Sequence, residues 1–303
     1  MKKEIDGLQE PFVIDKKAKE VLLAIDRGGY TIKGKEVRFP KECGEVEVIF
    51  PRKGEMLLQQ DIKKYEGTED FHIAVTNEDS FCAAEKLTNP LVMNFANAYI
   101  PGGGFLTGAI AQEEALCRAS TLYQSITNKR AEEMYAYNVE HRCREASDYM
   151  LYSPCVSVFR SPNGQLLENP FTVSVVTVPA PNRSMDTELG PDKQVKEIMM
   201  RRIRIMLRTA MKHGNKDLVL GAWGCGVFRN DPKDVADSFR KILVDEGYGK
   251  YFNRVSFAIY GDKKSPNFLA FRQVFAKELN KELEAQKSKA LKQKYVQNVT
   301  SER

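Results

Sequence analysis

The sequence predicts an α/β sandwich built on a mostly parallel or mixed sheet, and three observations predict it. From Phe71 onward, short apolar runs alternate with stretches of helical period. Several runs, such as LVMNFAN and FTVSVVTVPA, are almost continuously apolar, as strands are when helices cover both faces of their sheet. Two runs lead into glycine-rich segments, at 102–104 and at 224–226. Ligands of such folds sit beyond the carboxyl ends of strands, where these segments fall.

Taken in order, residues 12–27 carry apolar positions at helical spacing, and Gly28 and Gly29 stop that helix. EVRF and EVEVIF read as short strands, and a helix is expected at about 55–66. FHIAVTN is a strand, SFCAAEKL a helix and LVMNFAN a second strand. A helix follows at about 112–128, with helical and irregular sequence to about 148. VSVF and FTVSVVTVPA are strands, and a long helix spans about 191–213. DLVLGAWG, then DPKDVADSFRKILVDEG, give a strand and its helix; RVSFAIYG is a strand, and a last helix begins near Pro266. The expected division is an accessory segment over 1–70, a catalytic unit over 71–280 and a polar tail over 281–303.

The chain has 303 residues, 42% hydrophobic and 29% charged, which is ordinary for a soluble domain. A net charge of +5 with scattered basic residues gives no charged stripe, so no nucleic-acid grip is expected. The N-terminus has no apolar run of signal-peptide type, and no stretch approaches a membrane helix. Six cysteines without CxxC spacing fit free thiols in a reducing cytoplasm. No metal-ligand spacing appears among cysteines and histidines. Arg201, Arg202 and Arg204 cannot face one ligand from one helix, so a solvated face is their default.

Two constellations carry chemistry. The first runs from Asn94 and Asn97 through Gly102, Gly103 and Gly104 to Gln112, Glu113 and Glu114. Consecutive glycines after a strand suit a close backbone approach or a phosphate-holding concavity, though a surface turn explains them too. Acidic residues in a first helical turn also complement the helix dipole. Neighbouring helical residues do not share a face, so Glu113 and Glu114 are not an opposed glycosidase pair. One should aim at the scissile bond and the other should support it or bind a sugar hydroxyl. The second constellation is LGAWGCGVFRNDP, 220–232, with Asp231 as N-cap and Pro232 at the first helical position. Gly224, Cys225, Gly226 and Val227 form its loop. Phe228 would either cover a base or ribose ring or turn into the core.

Together, NFANAYIPGGG, QEE, ALCRASTLY, VVTVPAPN and LGAWGCGVFRNDP resemble the microbial-type poly(ADP-ribose) glycohydrolases, a branch of the macrodomain superfamily. The resemblance covers roughly residues 12–275. It implies a macrodomain-like three-layer sandwich with a mixed central sheet and an N-terminal helical accessory region. It implies cleavage of the glycosidic bond at the distal ribose C1″, with Glu114 as catalytic acid and Glu113 holding a ribose hydroxyl. Asn94 and Asn97 would bind near the distal ribose, Gln112 would be a further substrate-binding residue, Gly102, Gly103 and Gly104 would wrap ribose and diphosphate, and Gly224, Cys225, Gly226 and Val227 would form a second diphosphate loop. Phe228 would stack near the adenosine. Asn182 and Pro181 either line the pocket or shape a loop. No metal or cofactor is implied; the partners are ADP-ribose, its polymer or ADP-ribosylated macromolecules. A non-catalytic ADP-ribose reader is the alternative, as is a hydrolase of mono-ADP-ribose on protein or nucleobase. A phosphate- or nucleic-acid-binding module is a third reading.

Overall fold

The computed structural model describes residues 13–40, 44–68, 71–142, 145–184 and 192–281. The expected polar tail lies almost wholly outside the described residues.

In chain order the elements are α1 (Lys16–Asp26), β1 (Gly29–Ile32), β2 (Lys35–Arg38), β3 (Glu47–Ile49), α2 (Pro51–Gln59), β4 (His72–Thr76), α3 (Ser80–Ala84), β5 (Pro90–Ala96), α4 (Gln112–Ala119), α5 (Leu122–Ile126), α6 (Glu132–His141), β6 (Met150–Arg160), β7 (Leu166–Pro179), α7 (Asp192–Lys212), β8 (Asp217–Leu220), α8 (Pro232–Arg240), β9 (Arg254–Ala258) and α9 (Pro266–Val274). Among the described residues the main sheet has seven strands in the order β3-β6-β7-β5-β8-β9-β4, and β1-β2 form a separate hairpin. The β3, β6 and β7 pairings are antiparallel, whereas β7-β5-β8-β9-β4 run parallel. The sheet is therefore mixed.

Local chemistry sets the helix starts. Asp15, Asp79 and Asp231 each accept two backbone N–H bonds at the head of α1, α3 and α8, satisfying donors that have no partner within the helix. Pro51, Pro232 and Pro266 open their helices, where a missing N–H costs nothing. The long β6-β7 hairpin and the parallel strands bury apolar residues on both faces, giving two cores. One lies under α2, α7, α8 and α9, and includes Met93, Val176, Leu207, Trp223 and Phe257. The other lies under α1 and α3–α6, and includes Val92, Phe105, Leu116 and Val175. Strand alternation sends Leu91 and Met93 to the first core and Val92 to the second. Asn94 therefore faces α4.

The structure corrects four expectations. The helix expected at 112–128 is two helices, because Ser120 is extended, with φ −149°, and bridges Val158 of β6. Thr121 fixes that break: its N–H donates to the Ser157 carbonyl and its Oγ1 accepts from Ser157 N, both at 3.0 Å. The helix expected at 55–66 starts at Pro51 and ends at Gln59, where Arg208 takes up the Leu57 and Gln60 carbonyls. Arg202 is not on a solvated face. It is 1% exposed, pairs with Asp148 at 2.9 Å, and donates to the Pro179 and Ala146 carbonyls. Cys155 is disulfide-bonded rather than free. It sits where β6 slips register against β7 between Ser153 and Val156, and no sequence spacing marks its pairing.

Candidate functional site

β5, β7, β8 and β9 end on one side of the sheet, and a cavity of about 620 Å³ opens there. Phe95 and Asn97 follow from β5, Ala180 from β7, residues 222–228 from β8 and Tyr260 from β9. Gln112, Glu113 and Glu114 come from the first turn of α4. The two constellations, more than 100 residues apart in sequence, thus meet across one opening.

The loop between β5 and α4 is held from within. Asn97 Oδ1 accepts from Tyr99 N at 2.8 Å and Ile100 N at 3.0 Å, folding the chain back on itself. Gly102 and Gly103 then adopt left-handed conformations, with φ +75° and +55°. A Cβ at Gly103 would lie 2.4 Å from Glu114 Oε1, so only glycine lets the backbone come this close. Gly104 N donates to Glu114 Oε1 at 2.8 Å. Gln112 clasps α4 to β5: its Oε1 accepts from Phe95 N at 2.9 Å and its Nε2 donates to the Met93 carbonyl at 2.8 Å and to Ser80 Oγ at 3.1 Å.

The two glutamates have different surroundings. Glu113 is 3% exposed. Its carboxyl accepts from Asn97 N at 2.7 Å and from Asn94 Nδ2 at 3.2 Å, while Asn94 also donates to Thr177 Oγ1. Burial pushes the Glu113 carboxyl up to about 8, against the pull of the hydrogen bonds from Asn97, Asn94 and Gly102 and with a further push from the Glu114 charge. Glu114 is 7% exposed, and only its Oε1 has a hydrogen-bond partner among the described residues. Its Oε2 is buried and unmatched at the cavity wall.

The second loop is fixed at its base and open at its tip. Trp223 is fully buried and donates Nε1–H to the Val178 carbonyl at 3.0 Å. Asn230 donates to the Pro181 and Gly224 carbonyls at 2.8 and 3.0 Å, closing the loop. Gly224 is left-handed, and a Cβ there would meet Asn230 Nδ2 at 2.5 Å and Ala180 Cβ at 2.7 Å. Between these anchors Gly226 faces open space and Val227 is exposed. Phe228 lines the cavity and is partly buried against the first core. The Cys225 thiol, whose Sγ lies 3.6 Å from the Trp223 carbonyl oxygen, is pushed up to about 12 by burial, so it is a packed group rather than a nucleophile.

Of the residues singled out in the sequence, Asn97, Gln112, Glu113, Glu114, Gly224, Gly226, Val227 and Phe228 line the cavity. Asn94, Gly102, Gly103, Gly104 and Cys225 stand behind that wall and shape it. Asn182 Oδ1 is occupied by Ser184 N and Oγ, and Pro181 offers its carbonyl to Asn230; both act on loop shape. Tyr123 packs on Phe105 with ring centroids 4.8 Å apart, and Tyr149 donates to Glu133. Sequence reasoning missed Thr177, Asn230, Ile110 and Tyr260. Strand alternation within VVTVPA places Thr177 on the face of Asn94, and Asn230 lies inside a run already singled out. Ile110 and Tyr260, exposed at the cavity rim, carry no local signal.

No group of three or more His, Cys, Asp or Glu that could hold a metal occurs among the described residues, and none of the described helices is long and apolar enough to cross a membrane.

Comparison with known proteins fits this geometry. The family model for the catalytic domain of microbial-type PARG matches residues 18–161. The poly(ADP-ribose) glycohydrolase (PARG) of Thermomonospora curvata superposes with a TM-score of 0.77 at 37% identity, over 86% of this chain and 98% of that one. The same enzyme bound to the inhibitor ADP-HPD gives 0.75 at 38% identity, over 85% and 97%. The Deinococcus radiodurans PARG in complex with ADP-ribose gives 0.70 at 40% identity, over 76% and 94%. No curated protein gives a significant match. With identity at this level across nearly the whole of those chains, and with the mixed seven-stranded sheet of the same macrodomain-like fold, the chain belongs to the microbial-type poly(ADP-ribose) glycohydrolase family.

Proposed function

We propose that this protein is a glycosidase-type hydrolase that cleaves poly(ADP-ribose) at the distal ribose C1″ and releases ADP-ribose, with Glu114 as its catalytic carboxylate. The observation that carries this reading is the state of Glu114: one oxygen is pinned by Gly104 N, and the other is buried, unmatched, at the wall of the cavity. An unpaired buried carboxylate oxygen is costly unless a ligand group completes it. Protonated Glu114 donates its proton to the bridging oxygen as the C1″–O bond breaks, and the rest of the polymer leaves as an alcohol. Water then adds to the oxocarbenium-like C1″ and returns a proton to Glu114.

The other residues prepare this step. Glu113 is a positioning residue: its hydrogen bonds from Asn94, Asn97 and Gly102 hold the loop that fixes Glu114. Gly102, Gly103 and Gly104 bring the backbone up against Glu114 and so shape the wall that faces the distal ribose. Gly224, Gly226 and Val227 border the diphosphate, and Phe228 covers the adenosine end. Asn94, Gln112 and Cys225 support these walls from behind. The ADP-ribose and ADP-HPD held by the relatives support this class of ligand. The accessory segment serves as a buttress, since Asp15 N bonds the Leu106 carbonyl beside the catalytic loop at 2.8 Å. The thiols of Cys82, Cys117 and Cys225 support a cytoplasmic location, while the disulfide at Cys155 weighs the other way.

The test is release of ADP-ribose from poly(ADP-ribose) by wild type and Glu114→Ala, with ADP-ribose binding measured on both. Wild type should release product, and the variant should bind it while losing at least about 100-fold in turnover. Binding by both with no release by either would make the protein a reader, or a hydrolase of another linkage.

A further inference from the structure

The cavity does not stop at the glutamates. It continues along the outer face of α4, past Ala111, Ala115 and Ala119, whose spacing of four puts them on one side of the helix. These alanines leave a trough where longer side chains would fill it. At its far end the wall holds three cations from three separate elements: Lys17 of α1, Arg118 of α4 and Arg160 at the end of β6.

Arg160 is the informative one. Its side chain is only 10% exposed, yet its Nε–H is buried without a hydrogen-bond partner among the described residues. One terminal nitrogen reaches Glu20 at 3.1 Å, and the guanidinium lies over the Phe159 ring. Glu20 thus offsets part of one cation's charge. Arg118 donates to the Ala109 carbonyl rather than to a carboxylate, and Asp79, which lines the cavity along with the site glutamates, is committed to capping α3. The far end therefore keeps an excess of positive charge and an unmatched buried donor, a combination that suits an anion.

We infer that this end of the cavity is a second anion subsite, which holds a diphosphate of the adjoining ADP-ribose unit while the distal ribose sits at Glu114. The inference rests on the proposed glycohydrolase reading. Because Glu114 protonates the leaving oxygen, the rest of the polymer must continue on the Glu114 side of the scissile bond, and α4 leads from there to Arg118 within a single turn. The subsite discriminates a polymer from a lone ADP-ribose, which has no second diphosphate to place.

The experiment compares binding of a three-unit poly(ADP-ribose) and of ADP-ribose to the Glu114→Ala protein, with and without the added pair Lys17→Glu and Arg118→Gln. Lys17→Glu alone serves as a second variant, because Lys17 is exposed and its replacement leaves the fold intact. The pair should weaken trimer binding about tenfold and flatten its dependence on salt, with ADP-ribose affinity held within about twofold. Lys17→Glu should shift the trimer in the same direction by a smaller factor. An unchanged ratio of trimer to monomer affinity, or equal weakening of both ligands, overturns the subsite. So does a trimer that binds no better than ADP-ribose before any trough residue is changed. Wild type is assayed on the same trimer: failure to release ADP-ribose would remove the proposed activity, while the affinity ratio still decides the subsite.

Discussion

The two loops that meet across the cavity are built on opposite plans. Between Asn97 and Glu114 the chain is pinned by side-chain oxygens of Asn97, Glu113 and Glu114, and the backbone is pressed so close to Glu114 that a single methyl would collide with it. Between Trp223 and Asn230 only the ends are fixed, while Gly226 faces open space and Val227 projects into solvent. A carboxylate that must meet one oxygen of one bond gains from rigid placement, because small misplacements are expensive in rate. A loop that borders a flat base and a charged diphosphate needs firm anchors and an adaptable edge. The contrast separates a reacting half of the site from a holding half.

The contrast can be broken most severely at the anchor of the holding loop. Trp223→Ala empties a fully buried site beneath it and should cost about 3–5 kcal/mol in chemical denaturation. A loss under about 1 kcal/mol would mean that the loop is not held there. Gly103→Ala attacks the reacting half. It places a Cβ on Glu114 Oε1 at a left-handed residue, and kcat/KM should fall about 100-fold, with about 1–2 kcal/mol of strain. Near-normal turnover would show that Glu114 does not need that contact.

Glu113→Gln sharpens the comparison through pH. The Glu113 carboxyl lies at about 8 in the fold, above its ordinary value of 4.5. Its proton is therefore bound more tightly in the folded chain, so its contribution to stability is complete below about pH 4.5 and is lost as pH rises through about 8. Urea midpoints across that window should fall more steeply for wild type than for Glu113→Gln, and parallel curves would contradict the shift. The smallest effect is expected at the exposed tip. Val227→Ala should leave stability within about 0.5 kcal/mol while raising KM for the polymer roughly threefold. A large change in stability would mean that the tip is packed rather than open.

Much of this was legible in the sequence, since strand alternation, the proline and aspartate helix starts and the glycine-flanked carboxylates are all local signals. Asp231 and Pro232 begin α8 as their types predict. What escaped depends on partners far along the chain. Arg202 reads as one of several helix arginines; only the Pro179 and Ala146 carbonyls and Asp148 make its burial affordable. The break at Ser120 requires β6, about 40 residues later, and the second helix ends early because Arg208 lies in wait for its carbonyls. At the site, the glutamate pair and a division of labour between its members were expected from the sequence, but the contacts that hold each of them were not. Those contacts are Asn97 N and Asn94 reaching Glu113, and Gly104 N reaching Glu114 Oε1 while its Oε2 has no partner among the described residues.

The pairing of β3 with β6 has a practical consequence. Glu47–Ile49 cover the outer margin of β6 at Met150–Tyr152, and Ile49 is fully buried there. A shortened protein beginning at Phe71 would keep every residue of the cavity except Lys17, and yet it would bare a strand whose amides and carbonyls are ready to recruit another chain. Such a protein should be prone to aggregation, and its weakness would be colloidal before it was catalytic.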